Sequence, residues 1–186
     1  MIEIKGSVIR DSIESIKKRN GEDVYDNIVG RLNDETKKVF ENIVLSSSWY
    51  RLDDFVRFLE QDLLQTANGH ENELIKRSET LIEKQLKGLY KFFIKLGSPE
   101  FVLNRSSMVF ETYFRGISVN VKMGNNRATL TFTGFEKQHR LMGFSIIGFY
   151  TKALEMSGAK DVNMRYVTLI ESNKGYCEFE LTWTGK

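Results

Sequence analysis

The chain has 186 residues, which fits one domain with a sizeable buried core. Its 41% hydrophobic and 28% charged residues are ordinary for a globular protein, and a net charge of +2 provides no dense basic surface for nucleic acid. No apolar run approaches the roughly 18 residues that a membrane-spanning helix needs, and the first residues lack the apolar segment of a signal peptide. The single cysteine, Cys177, excludes an internal disulfide and is typical of a reducing cytoplasm.

Residues 1–115 are predicted to form a helical layer. After a short strand at 2–6, apolar residues recur at three- and four-residue steps, which favours a series of helices. Ser7 is the predicted N-cap of the first helix, and Ser46–Tyr50 is predicted to be a loop. Ser98 and Pro99 are typical of an N-cap followed by the first helical residue. The predicted helices cover about 7–20, 24–32, 34–44, 52–67, 71–96 and 99–114.

Residues 116–186 are predicted to form a ββ-α-ββ unit. Apolar and polar residues alternate in the strands, and the turn residues Gly124–Asn126 indicate a hairpin between the first two. A crossover helix is predicted over Gln138–Ser157. The helical layer packed on a four-stranded, largely antiparallel sheet makes a single α+β domain. The strands are predicted at Ile117–Met123, Arg127–Thr133, Val162–Glu171 and Tyr176–Thr184.

Candidate catalytic and metal-binding residues are few and are scattered along the sequence. The two histidines, His70 and His139, lie at predicted helix starts among polar residues, where an exposed position is the simpler interpretation. Neither has the spacing of a zinc site. Cys177 lies on the predicted buried face of the last strand, where a thiol is more typical of a core than of a nucleophile. Without a nucleophile motif or a phosphate-binding loop, the sequence predicts no enzyme.

Aromatic residues are frequent in the predicted helices. They would line a pocket if the helices enclose one above the sheet, and they would form a solid core if not. Gly143 and Gly148 lie inside the crossover helix, where small residues allow close contact with the sheet or with a ligand. The candidates for a ligand pocket are Trp49, Phe92, Phe93, Phe110, Tyr113, Phe114 and Phe144.

Several short segments, together with the order of the elements, resemble a known superfamily. It is the NO-signalling and Golgi-transport ligand-binding superfamily, which groups haem-binding H-NOX sensor domains, four-vinyl-reductase small-molecule-binding domains and TRAPP vesicle-tethering subunits. Within it, the chain is most similar to a bacterial family expanded in myxobacteria. The segments that carry the resemblance are Ser48–Tyr50, Gly97–Glu100, Tyr113–Gly116 and Gly148–Val162.

The resemblance to H-NOX domains implies a haem held by a histidine on the helix before the sheet, with a Y-x-S-x-R motif for the haem propionates. The corresponding helix here, Pro99–Phe114, contains no histidine. The nearest match to the motif, Phe132–Glu136, has no tyrosine, serine or arginine, and the Glu136 carboxylate would repel a propionate. No haem-binding residue is therefore carried over from the family.

Three functions are compatible with these observations. The first is a non-enzymatic sensor or adaptor module in bacterial signalling, without a cofactor, that binds an unknown apolar small molecule between helices and sheet. The second is a haem or tetrapyrrole sensor with non-standard ligation through His70, His139 or a methionine. The third is an interaction module without a ligand, a homodimer through its helical layer. We expect the first, because the resemblance, the aromatic helices and the missing catalytic set all favour it.

Overall fold

The computed structural model describes residues 1–85, 98–172 and 174–185. Within these ranges the protein is α+β, with helices packed against antiparallel sheets, as the sequence predicts. The helices are α1 (Gly6–Asn20), α2 (Glu22–Gly30), α3 (Asp34–Glu41), α4 (Leu52–Ala67), α5 (Glu73–Gln85), α6 (Pro99–Asn104), α7 (Ser106–Tyr113) and α8 (Leu141–Met156). The strands are β1 (Glu3–Lys5), β2 (Trp49–Arg51), β3 (Phe114–Arg115), β4 (Ser118–Gly124), β5 (Arg127–Thr133), β6 (Lys160–Thr168) and β7 (Tyr176–Thr184), and short 3-10 turns lie at Lys137–His139 and Ile170–Ser172.

Capping chemistry sets several helix boundaries. The Asn33 side chain accepts a hydrogen bond from the Thr36 N–H at 2.9 Å and starts α3. Ser98 does the same for α6, at 3.3 Å from the Phe101 nitrogen, and this confirms the predicted cap. The prediction of Ser7 as the cap of α1 is wrong, because β1 runs directly into a helix that begins at Gly6.

Two predicted helices are divided in the structure. The helix predicted over 99–114 is broken at Arg105, whose φ of −101° and ψ of 3° leave the helical region and separate α6 from α7. The crossover helix begins at Leu141 instead of Gln138, because residues 137–139 form a tighter 3-10 turn. Residues 86–97 of the long helix predicted over 71–96 lie outside the described residues.

The four-stranded sheet has the order β4-β5-β7-β6 and is antiparallel throughout. Its inner face is apolar: Leu130 of β5 is paired with Phe179 of β7, and both side chains are fully buried. β6 ends at Thr168, after a register shift against β7, and not at Glu171 as predicted. The residues that follow form the second 3-10 turn, which leads towards β7.

A second sheet has three short strands in the order β2-β1-β3. Its strand β1 confirms the strand predicted at 2–6, whereas β2 and β3 were not predicted. The prediction of a loop over Ser46–Tyr50 is wrong for its last two residues, since Trp49 and Tyr50 belong to β2 and pair with Lys5 and Ile4. Ile4 is fully buried, and β3 also pairs with β1. This sheet therefore ties the start of the chain to the segment that leads into the four-stranded sheet.

The crossover helix α8 contacts both α5 and the four-stranded sheet. Its two glycines, Gly143 and Gly148, permit this close packing, as expected from the sequence. A Cβ atom at Gly148 would overlap the backbone carbonyl of Ile75 in α5, and one at Gly143 would overlap the hydroxyl of Tyr166 in β6. None of the described helices is long and apolar enough to cross a membrane.

Candidate functional site

A cavity lies between helices α1, α4, α5, α7 and α8. The centre of a water-sized molecule can occupy about 120 Å³ of it. A single water needs roughly 10–15 Å³ measured in this way, so the cavity has room for a larger guest. Most of its wall is hydrocarbon. The apolar lining side chains are Val8, Ile16, Phe55, Leu59, Leu74, Leu81, Ile82, Val109, Phe110, Phe114, Met142, Ile146 and Phe149.

Helical periodicity explains why these residues meet. Side chains three or four positions apart share one face of a helix. In α8 the lining residues Met142, Ile146 and Phe149 follow this spacing, and Ser145 lies on the same stripe. The lining residues of α1 follow the same rule and end at Arg19, in the last turn. Each helix therefore presents one stripe to the cavity.

One end of the cavity is polar and is built around Asp62 of α4. The side chain of Asp62 is 2% exposed, and its Oδ2 accepts a hydrogen bond from Arg77 of α5. Its Oδ1 accepts one from the Thr66 hydroxyl at 2.9 Å and lies 3.7 Å from a terminal nitrogen of Arg19. Arg77 also donates to the Thr66 hydroxyl, at 2.9 Å. A buried carboxylate is stable only with such partners, which here come from three helices.

Aromatic side chains form the wall on the side of α7. The rings of Phe110 and Phe114 are stacked with centroids 4.4 Å apart, and Phe110 meets Phe132 of the sheet edge-on at 5.1 Å. Of the aromatic pocket candidates, Phe110, Tyr113 and Phe114 are lining residues of the cavity. Their role in binding a ligand stays a prediction.

The other aromatic candidates are elsewhere. Trp49 is not a lining residue of the cavity; its ring lies in β2 between the ammonium of Lys5 at 4.5 Å and the guanidinium of Arg115 at 4.1 Å. Phe144 is not a lining residue either, because it faces the sheet, where its ring meets Tyr166 edge-on. Phe92 and Phe93 lie outside the described residues.

The histidines differ from each other. His70 is exposed, as expected, between α4 and α5. The expectation of an exposed His139 is wrong: its side chain is 2% exposed, and its Nε2 lies 2.7 Å from the Asp53 carboxylate. The backbone N–H of Glu136 donates to Nδ1 at 2.9 Å. The 3-10 turn aims the ring into the protein, where both ring nitrogens have partners.

The described residues do not fit a haem held by histidine. The chain has only His70 and His139, and neither is a lining residue of the cavity. Cys177 is buried in β7, also away from the lining, and the described residues contain no group of three metal-binding side chains. A cavity of roughly 150 Å³ holds a benzene molecule, so this volume is close to that of one aromatic ring.

Sequence reasoning missed the polar end of the cavity, although one signal for Asp62 was present. Phe55, Leu59, Asp62 and Leu63 follow three- and four-residue steps along the apolar face of α4. A carboxylate on such a face must find a buried cationic partner. The sequence does not mark Arg19 and Arg77 as its partners in the same way, because arginines are common on exposed helix faces.

No protein-family model matches this chain, and no curated protein matches its sequence.

Solved H-NOX structures match its fold at 98% coverage of the chain. A mutant of the K. algicida H-NOX protein, in its Fe(II) unliganded form, has a TM-score of 0.76 with 14% identity and 98% of its length covered. The S. oneidensis H-NOX protein in its Fe(II)NO state has a TM-score of 0.75 with 14% identity and 100% covered. A mutant of the T. tengcongensis H-NOX protein has a TM-score of 0.73 with 11% identity and 98% covered. The resemblance seen in the sequence is therefore confirmed at the level of architecture, and this chain has the H-NOX fold.

Proposed function

We propose that this protein is a non-enzymatic binding module, of sensor or adaptor type, that takes an apolar small molecule into the cavity between α1, α4, α5, α7 and α8. The observation that carries the proposal is the apolar lining of this cavity inside an H-NOX fold. Ligand sites are mostly apolar concavities with a few polar groups that fix orientation. Here the charged groups Arg19, Asp62 and Arg77 are gathered at one end.

The chemistry of the lining supports the proposal. Apolar side chains are favourably removed from water when an apolar molecule packs against them. The stacked rings of Phe110 and Phe114 provide such a surface on one side of the cavity. An apolar ligand in this space would bury this lining.

The structural neighbours support a role in sensing. The S. oneidensis H-NOX protein was solved in its Fe(II)NO ligation state, and other H-NOX structures address haem distortion and H-NOX activation. The same fold thus holds a ligand in those proteins. In this chain we propose a different ligand, because the described residues offer no histidine to a haem in the cavity.

A haem with different ligation is the second candidate. Met142 and Tyr113 line the cavity, and both residue types serve as axial haem ligands in other proteins. Haem added to the purified protein under reducing and oxidising conditions decides between the two candidates. A Soret band that shifts in the Met142→Leu or Tyr113→Phe variant would support haem, and our proposal expects no protein-specific band.

The proposal is tested by calorimetric titration with toluene, an uncharged apolar probe of suitable size. We expect binding to the wild-type protein and its loss in Ser145→Leu, which fills the cavity from α8. Ser107→Leu is the matched control, since Ser107 is exposed on α7 and does not line the cavity. Equal toluene binding by all three proteins, or binding by none, would contradict the proposal.

Dimerisation through the helical layer stays a prediction. Light scattering at increasing protein concentration tests it. A monomer at all concentrations would contradict a role as a dimeric interaction module, and it would leave the binding function unaffected.

A further inference from the structure

Counted over the part of the chain that the structure describes, the polar end of the cavity carries an unbalanced positive charge. The Asp62 carboxylate is shared between Arg77 and Arg19. The nearby carboxylate of Glu73 is paired with the ammonium of Lys76 at 3.0 Å, so that pair adds no net charge. Two guanidiniums therefore share one carboxylate beside an apolar space.

Among the described residues, Arg19 is the charged group at this end whose terminal nitrogens can donate to a ligand. Both Asp62 oxygens already accept hydrogen bonds, from Arg77 and from Thr66. Arg19 uses its Nε to donate to Asn20 at 2.9 Å, and its terminal nitrogens have only the longer contact with Asp62 among the described residues. With 37% of its side chain exposed, Arg19 is reached from the solvent as well as from the cavity.

The two guanidiniums repel each other. Partial burial lowers the pKa of Arg19, and the charge of Arg77 lowers it further, while Asp62 and Glu73 act in the opposite direction. Arginine stays protonated at any physiological pH, so this repulsion is present in the folded protein. A bound anion beside Arg19 would relieve it.

We infer that the cavity takes a small apolar molecule with a single carboxylate, whose charged end meets Arg19 at the polar end of the cavity. The inference rests on the proposed function and adds the ligand class. The planar guanidinium matches a carboxylate in a two-point hydrogen-bonded pair, which fixes the orientation of the ligand. The apolar part, an aryl group or a short alkyl chain, lies between α5, α7 and α8, where one ring fits the volume.

The test compares phenylacetate with phenylacetamide, which have the same apolar part and differ in charge. In calorimetric titrations of the full chain at low salt, we expect phenylacetate to bind roughly tenfold more tightly, as is usual for a charge-assisted contact. The preference should decrease as salt is added, because Arg19 is partly exposed.

The variant Arg19→Gln tests whether Arg19 causes the preference for phenylacetate. It should abolish the difference between the two probes by weakening the binding of phenylacetate more than that of phenylacetamide. Arg10→Gln removes the same charge from an exposed part of α1 and should keep the preference. Arg77 is not replaced, because its loss would leave the buried Asp62 without its closest cation.

The outcomes separate the two claims. If phenylacetamide binds as tightly as phenylacetate, or if Arg19→Gln keeps the preference, the carboxylate inference is overturned while the apolar site remains. The polar cluster is then only an ion network that joins α1, α4 and α5. If neither phenylacetamide nor toluene binds, the proposed function itself fails.

Discussion

The imidazole of His139 lies 2.7 Å from the carboxylate of Asp53, across 86 positions of the chain. The contact joins the 3-10 turn before α8 to the first turn of α4 and so links the ββ-α-ββ unit to the helical layer. Because the Glu136 N–H donates to Nδ1, a neutral imidazole carries its proton on Nε2 and donates it to Asp53. One side chain thus holds two separate parts of the chain.

Replacement of His139 should therefore destabilise the protein. His139→Leu keeps the apolar bulk but removes the acceptor of the Glu136 N–H and one hydrogen-bond partner of the Asp53 carboxylate, at a cost of roughly 1–3 kcal/mol. The exposed His70 is the matched control, and His70→Leu should change the free energy of unfolding by less than about 0.5 kcal/mol. Urea unfolding of both variants measures the difference. Equal stability of the two variants would contradict the role assigned to His139.

The same contact predicts a loss of stability in acid. Burial raises the pKa of Asp53, but the hydrogen bond and charge of His139, the hydrogen bond of Gln138 and the charge of Arg51 together outweigh this and lower it below the ordinary value of 3.8. A pKa that is lower in the folded state favours folding when the group is ionised. This contribution is complete above pH 3.8 and is lost as the pH falls through the folded-state pKa. Unfolding free energies from pH 5 downwards should fall less steeply in Asp53→Asn, and parallel curves would contradict the prediction.

Cys177 should be unreactive in the folded protein. Burial in β7 raises the pKa of its thiol from 9.0 to about 12, so the reactive thiolate is scarce at pH 8. Titration with a thiol reagent should label the protein only after denaturation; fast labelling of the folded protein would contradict this.

The raised pKa of Cys177 has a second consequence, for stability at alkaline pH. Its contribution is complete below pH 9 and is lost as the pH rises towards 12. The buried Tyr25, whose pKa is raised from 10.0 to about 12 mainly by burial, acts in the same direction. The free energy of unfolding should therefore fall between pH 9 and pH 12, and a constant value over this range would contradict the burial of these groups.

The close approach of α8 to α5 depends on the absence of a side chain at Gly148. In Gly148→Ala the new Cβ would meet the rigid carbonyl of Ile75, which should cost roughly 1–3 kcal/mol and push apart two helices that line the cavity. Gly30→Ala is the matched control, because a Cβ at Gly30, the last residue of α2, meets nothing within 4 Å. That change should be neutral or stabilising, by up to about 1 kcal/mol. Similar urea midpoints for the two variants would contradict the packing described.

The four-stranded sheet was predictable because its strands are long enough for alternation to show. β5 and β7 have the predicted bounds, with buried residues at every second position. Only β1 of the three-stranded sheet was predicted, because a strand such as Trp49–Arg51 is too short to show alternation and pairs with distant residues. Helix α4 was predicted residue for residue, since the periodic apolar face ends at the left-handed Asn68.

The candidate site was predictable only in part. The lining residues Phe110 and Tyr113 follow from the helical spacing of α7, whereas Phe114 lies in β3 beyond the end of that helix. The polar end depends on where α1 and α5 place Arg19 and Arg77 relative to Asp62, and that placement is set by tertiary packing. The burial of His139 was missed for a similar reason: a 3-10 turn, and not a helix, sets the direction of its ring.

The central claim is that the cavity accepts an apolar molecule, and a crystal structure of the protein soaked with toluene tests it most directly. We predict ordered density for one ring between α5, α7 and α8, beside Phe110 and Ser145, and no such density in Ser145→Leu. A wild-type structure in which side chains fill this space, or in which toluene binds only elsewhere, would contradict the claim.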